Sequence, residues 1–142
     1  MDALTFLRAC TPLFEGMSEE NLSSLAVASA LQTYKTGQFV LLKGTTVDGL
    51  HVIVAGAVGV FVKPANRPSV QIAALTSGDV CGETSIVETG VANATVKALE
   101  DETMILMIPQ EAFRHVLQQD ESFAVRVNTL IKSRKSLPQV PA

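Results

Sequence analysis

The stretch Gly78-Asp79-Val80-Cys81-Gly82-Glu83-Thr84-Ser85-Ile86, closed downstream by Ala94-Thr95-Val96-Lys97-Ala98, decides how this chain is read. Two glycines bracket Asp79 and a short apolar pair, and an acid with two hydroxyl residues follows. Gly82 lets the backbone turn tightly and approach another group closely. A short helix is expected over about residues 83–88, with Glu83 in the first turn, where the helix dipole favours an acid. A helix start also offers unpaired backbone N–H groups, and these suit an anion.

Upstream of this stretch the chain changes rhythm once. Residues 2–9 read as a short helix with Leu4 and Leu7 on one side, ended by Pro12. Ser18 is an N-cap for a second helix, and Met17 and Leu22 stand at hydrophobic-staple positions around it. From Ala30 onward, short β-rich runs follow one another: Leu31–Lys35, Phe39–Leu42, Leu50–Val54, Val58–Lys63, Val70–Leu75, Asn93–Leu99 and Thr103–Ile108. Glycines fall at or near their ends, the pattern of a sandwich or barrel. Pro64 and Pro68 mark an exposed hairpin tip. Pro109 suits the first turn of a helix carrying Ala112, Phe113, Val116 and Leu117. Another helix from about Ser122 has Phe123, Val127, Leu130 and Ile131 on one face. Pro138 and Pro141 lie in a tail that is expected to fray.

The expected organisation is one domain over residues 1–142: a helical entry to about residue 29, a β-roll to about 108, C-terminal helices to about 136, and a tail. Hydrophobic content of 47% with 18% charged residues can fill a core and excludes a disordered chain. A net charge of −3 gives no global attraction to nucleic acid or anionic membrane. Cys10 and Cys81 are far apart and in no metal-ligand spacing, so both read as reduced thiols. Without a membrane-spanning run or a basic N-terminal start, a cytoplasmic location is expected.

In order and at the right separations, three segments resemble the cyclic-nucleotide-binding domain family, which includes catabolite-activator-protein-like domains and protein kinase A regulatory subunits. Pro12-Leu13-Phe14-Glu15-Gly16-Met17-Ser18-Glu19-Glu20-Asn21-Leu22 looks like the family's entry helix. Asp48-Gly49-Leu50-His51-Val52-Ile53-Val54-Ala55-Gly56-Ala57-Val58 looks like its third strand, turn and fourth strand. The opening stretch looks like its phosphate-binding cassette, roughly Gly-Asp-x-Phe-Gly-Glu-x-Ala-Leu, a loop ending in Arg, then Ala-Thr-Val-Arg-Ala. The spacing fits without a gap. The resemblance implies a mainly β fold: an eight-stranded jelly roll, or double-stranded β-helix, flanked by N-terminal and C-terminal α-helices.

It also implies a site. Glu83 would accept a hydrogen bond from a ribose 2′-hydroxyl, as suits a carboxylate. Gly82 and the backbone amides of Thr84 and Ser85 would face the phosphate, with the Ser85 hydroxyl able to add a bond. The family's phosphate-binding arginine falls on Ala92, and Asn93 beside it carries an amide that can donate to phosphate or to a base edge. Losing a hydrogen bond to a charged group costs about 1.5–3 kcal/mol, roughly one to two decades of affinity. Lys97 points to the opposite face by strand alternation, and Lys63 and Arg67 belong to the hairpin the family usually places away from the pocket.

The remaining candidates read as structure. Cys81 is a small hydrophobe that packs, and His51 a packed core or edge histidine. No cluster of histidines and carboxylates, nucleophile elbow or triphosphate loop is visible, so neither a metal, a cofactor nor catalysis is expected. Lys132, Arg134 and Lys135 complement the dipole of the last helix. Transcription factors of this superfamily append a helix-turn-helix, and the chain stops before one could begin, so no nucleic-acid partner is expected. Two functions fit: a regulatory module binding cyclic AMP or cyclic GMP with reduced affinity, or a ligand-free interaction module. In the second, Phe123, Val127, Leu130 and Ile131 would face a homodimer or another partner.

Overall fold

A computed structural model describes residues 2–9 and 13–135. Cys10, Pro12, Pro138 and Pro141 lie outside the described residues, so the reduced thiol at position 10, the proline stop and the frayed tail do too. Two helices come first, α1 (Ala3–Ala9) and α2 (Glu19–Ala28). The Ser18 hydroxyl accepts from the Asn21 N–H at 3.1 Å, and Met17 and Leu22 are both buried, so cap and staple form as expected.

The β-roll consists of β1 (Ala30–Tyr34), β2 (Phe39–Leu41), β3 (Gly49–Ala55), β4 (Ala57–Val62), β5 (Val70–Thr76), β6 (Val80–Cys81), β7 (Thr95–Ala98) and β8 (Thr103–Pro109). They form two four-stranded antiparallel sheets, ordered β1-β8-β3-β6 and β2-β7-β4-β5. Two strands of each sheet are remote in sequence, the jelly-roll arrangement. The strand missed in the sequence is β6, whose two residues between glycines give no period to read. It pairs His51 with Cys81 and Val52 with Val80.

Helix α3 (Glu83–Glu88) interrupts the roll, and α4 (Gln110–Gln119) and α5 (Glu121–Lys135) follow it. Pro109 caps α4 rather than opening its first turn. Strand β3 is buried on both sides over Gly49–Ile53, which explains a run that is apolar except for His51. On one side Ile53 joins Val58, Cys81, Val96 and Ile105 between the sheets. On the other, Leu50 and Val52 meet a larger core shared with the helices.

This larger core corrects one expectation. Phe123 and Val127 are 0% exposed, Ile131 is buried and Leu130 partly so. Phe123 stacks on Phe14 of the entry segment with ring centroids 5.9 Å apart, and meets Phe113 of α4 edge-on at 5.7 Å. The face expected to serve a homodimer or partner is therefore covered by the chain itself. Helical periodicity says that a stripe is buried, not what buries it. Replacing Phe123 by alanine should lower the unfolding free energy by about 3–5 kcal/mol, read as a shifted urea midpoint at constant slope. A loss under about 1 kcal/mol would mean that this aromatic cluster does not fix α5.

Candidate functional site

The cassette is positioned by its turns. Gly78, at φ +92°, closes the turn after β5: its N–H donates to the Ile53 carbonyl, and the Ile53 N–H donates to that of Asp79. The Asp79 carboxylate accepts from the Thr76 N–H at 2.9 Å. Gly82 stands at φ +96°, just before α3, and a Cβ there would lie 3.1 Å from the Gly49 carbonyl oxygen. Both the left-handed backbone and the close approach require glycine. The predicted span of α3 matches the observed one, Glu83–Glu88.

Three cations from the last two helices grip α3. Arg114 of α4 donates to the Ile86 carbonyl at 2.5 Å. At the end of α5, Lys135 pairs with Glu88, while Arg134 reaches back to Glu83. The Glu83 side chain has essentially no surface in water, and its Oε1 receives Nη1 of Arg134 at 2.5 Å. Nη2 of the same guanidinium donates to the Val80 carbonyl, and the Thr84 hydroxyl lies 3.4 Å from Oε1. Oε2 of Glu83 is buried without a hydrogen-bond partner among the described residues. Burial pushes the carboxyl above its ordinary range, and the guanidinium pulls it back part of the way.

Other candidates fall into place around this pair. Ser85 is buried and Thr84 half-buried on α3. Ala92 is 3% exposed and packs in the larger core. Its N–H donates to the Thr45 carbonyl and its carbonyl accepts from the Gly44 N–H, so its backbone is held on both sides. Asn93 is exposed in the bend before β7. Lys97 lies with its Nζ 4.8 Å from the Phe61 ring centroid and 5.6 Å from that of Phe39. It thus engages the outward side of β7, as strand alternation requires. Cys81 is buried and its thiol is pushed up to about 12 by that burial, so it packs rather than reacts. His51 is buried too; burial lowers its pKa, and its Nδ1 has no partner among the described residues.

The residue missed in the sequence is Arg134, read only as a dipole complement. A signal was available: Arg134 follows Val127 by seven positions and Ile131 by three, on the stripe that faces inward. What spacing cannot supply is the partner, 51 residues earlier.

A carboxyl raised by folding contributes stability that is full below its unfolded pKa and lost as pH rises through its folded value. Removing the guanidinium should raise Glu83 further. Arg134→Met should therefore cost little stability in acid and progressively more towards neutral pH, reaching about 1–3 kcal/mol for a pair whose cation is partly exposed. Urea denaturation across a pH series tests this, and a cost independent of pH would contradict it.

Comparison with known proteins places the architecture. The family model for the cyclic nucleotide-binding domain matches residues 31–120. A cGMP-dependent protein kinase, isozyme 1, of Drosophila melanogaster is 27% identical over 118 residues, which are 82% of this chain and 15% of the kinase. The chain thus spans a small part of that relative. The regulatory domain of Toxoplasma gondii protein kinase A, solved with cAMP, superposes at a TM-score of 0.79 with 16% identity, covering 94% of this chain and 48% of that one. The regulatory subunit of a cAMP-independent protein kinase A from Trypanosoma brucei superposes at 0.79 with 19% identity, covering 95% and 46%. With the cassette, the two four-stranded sheets and the flanking helices in their places, this chain belongs to the cyclic nucleotide-binding domain family.

Proposed function

We propose that this chain is a regulatory module, not an enzyme, that binds cyclic AMP or cyclic GMP and works in the cytoplasm. The observation that carries the reading is Oε2 of Glu83, a buried acceptor with no donor among the described residues. A ribose 2′-hydroxyl is a donor of the right kind. Beside it, Gly82 and the amides of Thr84 and Ser85 take the phosphate at the start of α3, with the Asn93 amide in reserve. Ala92 contributes shape but no charge, so affinity is lower than in relatives with an arginine there, by roughly one to two decades.

Glu83 has no exposed surface, so a ligand that bonds to it must first move something aside. Arg134 and the end of α5 are held directly against it. Ligand entry is thereby tied to the position of α5, and the shifted helix presents a changed surface to whatever the module regulates. No helix among the described residues is long and apolar enough to cross a membrane.

A second reading, a ligand-free interaction module, is favoured by one observation: Ala92 is packed into the core rather than lining an open wall. The Trypanosoma relative, described as cAMP-independent, lends it support. Calorimetric titration of cyclic AMP and cyclic GMP separates the two. The sensor reading predicts saturable binding by the unmodified chain, weakened about 10–100-fold by Glu83→Gln. Binding only by Ala92→Arg would make the pocket a disabled one and establish the second reading. Heat from neither protein would overturn the sensor reading.

A further inference from the structure

A cavity of about 350 Å³ lies between α5, the Gly78–Val80 turn and the entry segment. Leu13, Val80 and Leu130 give it an apolar wall, and Arg126 and Arg134 stand in its lining. Both Nη atoms of Arg134 are already engaged, with Glu83 and the Val80 carbonyl. Arg126 differs. Its Nε donates to the Leu13 carbonyl at 2.7 Å, but its Nη2 is buried with no hydrogen-bond partner among the described residues. No carboxylate among the described residues forms an ion pair with it. Asp79 spends one carboxylate oxygen on its own turn, and the Thr129 hydroxyl donates to the Val125 carbonyl. A guanidinium stays charged, and an unpaired buried donor on it is costly. The cavity therefore lacks one anionic acceptor.

We infer that this cavity, on the Gly78–Val80 edge of the cassette and with none of residues 83–93 in its lining, is a second binding site for a small monocarboxylate with a short apolar body, its carboxylate on Nη2 of Arg126. Size and chemistry select this class. The volume sits at the small end of ligand pockets. One unpaired donor, reached once the Arg126 side chain turns toward the cavity, matches a single carboxylate, whereas the further oxygens of a phosphate would meet the apolar wall of Leu13, Val80 and Leu130. The apolar body covers Leu13, Val80 and Leu130 and removes their surface from water.

The test is a titration of the unmodified chain with hexanoate and, separately, with hexanamide, followed by amide chemical shifts. Hexanoate should shift the signals of Val80, Thr129 and Leu130 saturably, and the uncharged amide should bind at least about tenfold more weakly. Leu130→Trp, which fills the cavity, should abolish the shifts, and Arg126→Gln should bring hexanoate down to the level of hexanamide. Equal binding of the two probes, saturable shifts elsewhere, or no saturable shift in the unmodified chain would each overturn the inference, and none depends on a variant that must fold.

Discussion

A carboxylate with no surface in water has to be met by a cation or give up its charge. In this chain that carboxylate is Glu83, and the cation comes from the far end of the fold, Arg134. The pair turns two separate parts into one unit. Glu83 opens α3, which Gly82 sets against Gly49 of β3, and Arg134 ends α5, which Phe123 pins between Phe14 and Phe113. A change at the cassette therefore bears on the last helix through the bonds of Arg134 to Glu83 and to the Val80 carbonyl, and a change in the helix bears equally on the cassette. Arg114 and Lys135 add to the same grip at Ile86 and Glu88.

Ala92 gives the site its character. Where the resemblance leads one to expect a guanidinium that neutralises a phosphate, the chain has a methyl group in the core. The guanidinium in the cassette is Arg134, and it faces the glutamate instead. Positive charge beside the cassette therefore sits on the last helix and not on the loop after α3. A ligand meeting this site would find the backbone amides of α3 and one buried acceptor, but no fixed cation on the cassette loop.

Much of this was legible in the sequence. The strand runs and the capped second helix were legible from local spacing, and the family from the resemblance of three segments, residues 12–22, residues 48–58 and the cassette. So does the outward side of Lys97. What was not legible depends on long-range choices. The apolar stripe Phe123, Val127, Leu130 and Ile131 reads the same whether a partner or the chain's own entry segment covers it. Arg134 shares that stripe, yet its destination is decided by how α5 lies across the roll. The two-residue strand β6 has no period and is defined only by its pairing with β3. The open donor of Arg126 likewise becomes visible only when Leu13 is brought beside α5.

The central claim is that cassette and last helix are energetically one unit through Glu83 and Arg134. A double-mutant cycle on unfolding free energy, built from Glu83→Gln, Arg134→Met and the double variant at neutral pH, measures that coupling directly. The account predicts an interaction energy of about 1–3 kcal/mol, with the double variant less destabilised than the sum of the single ones. Additivity within about 0.3 kcal/mol would contradict it.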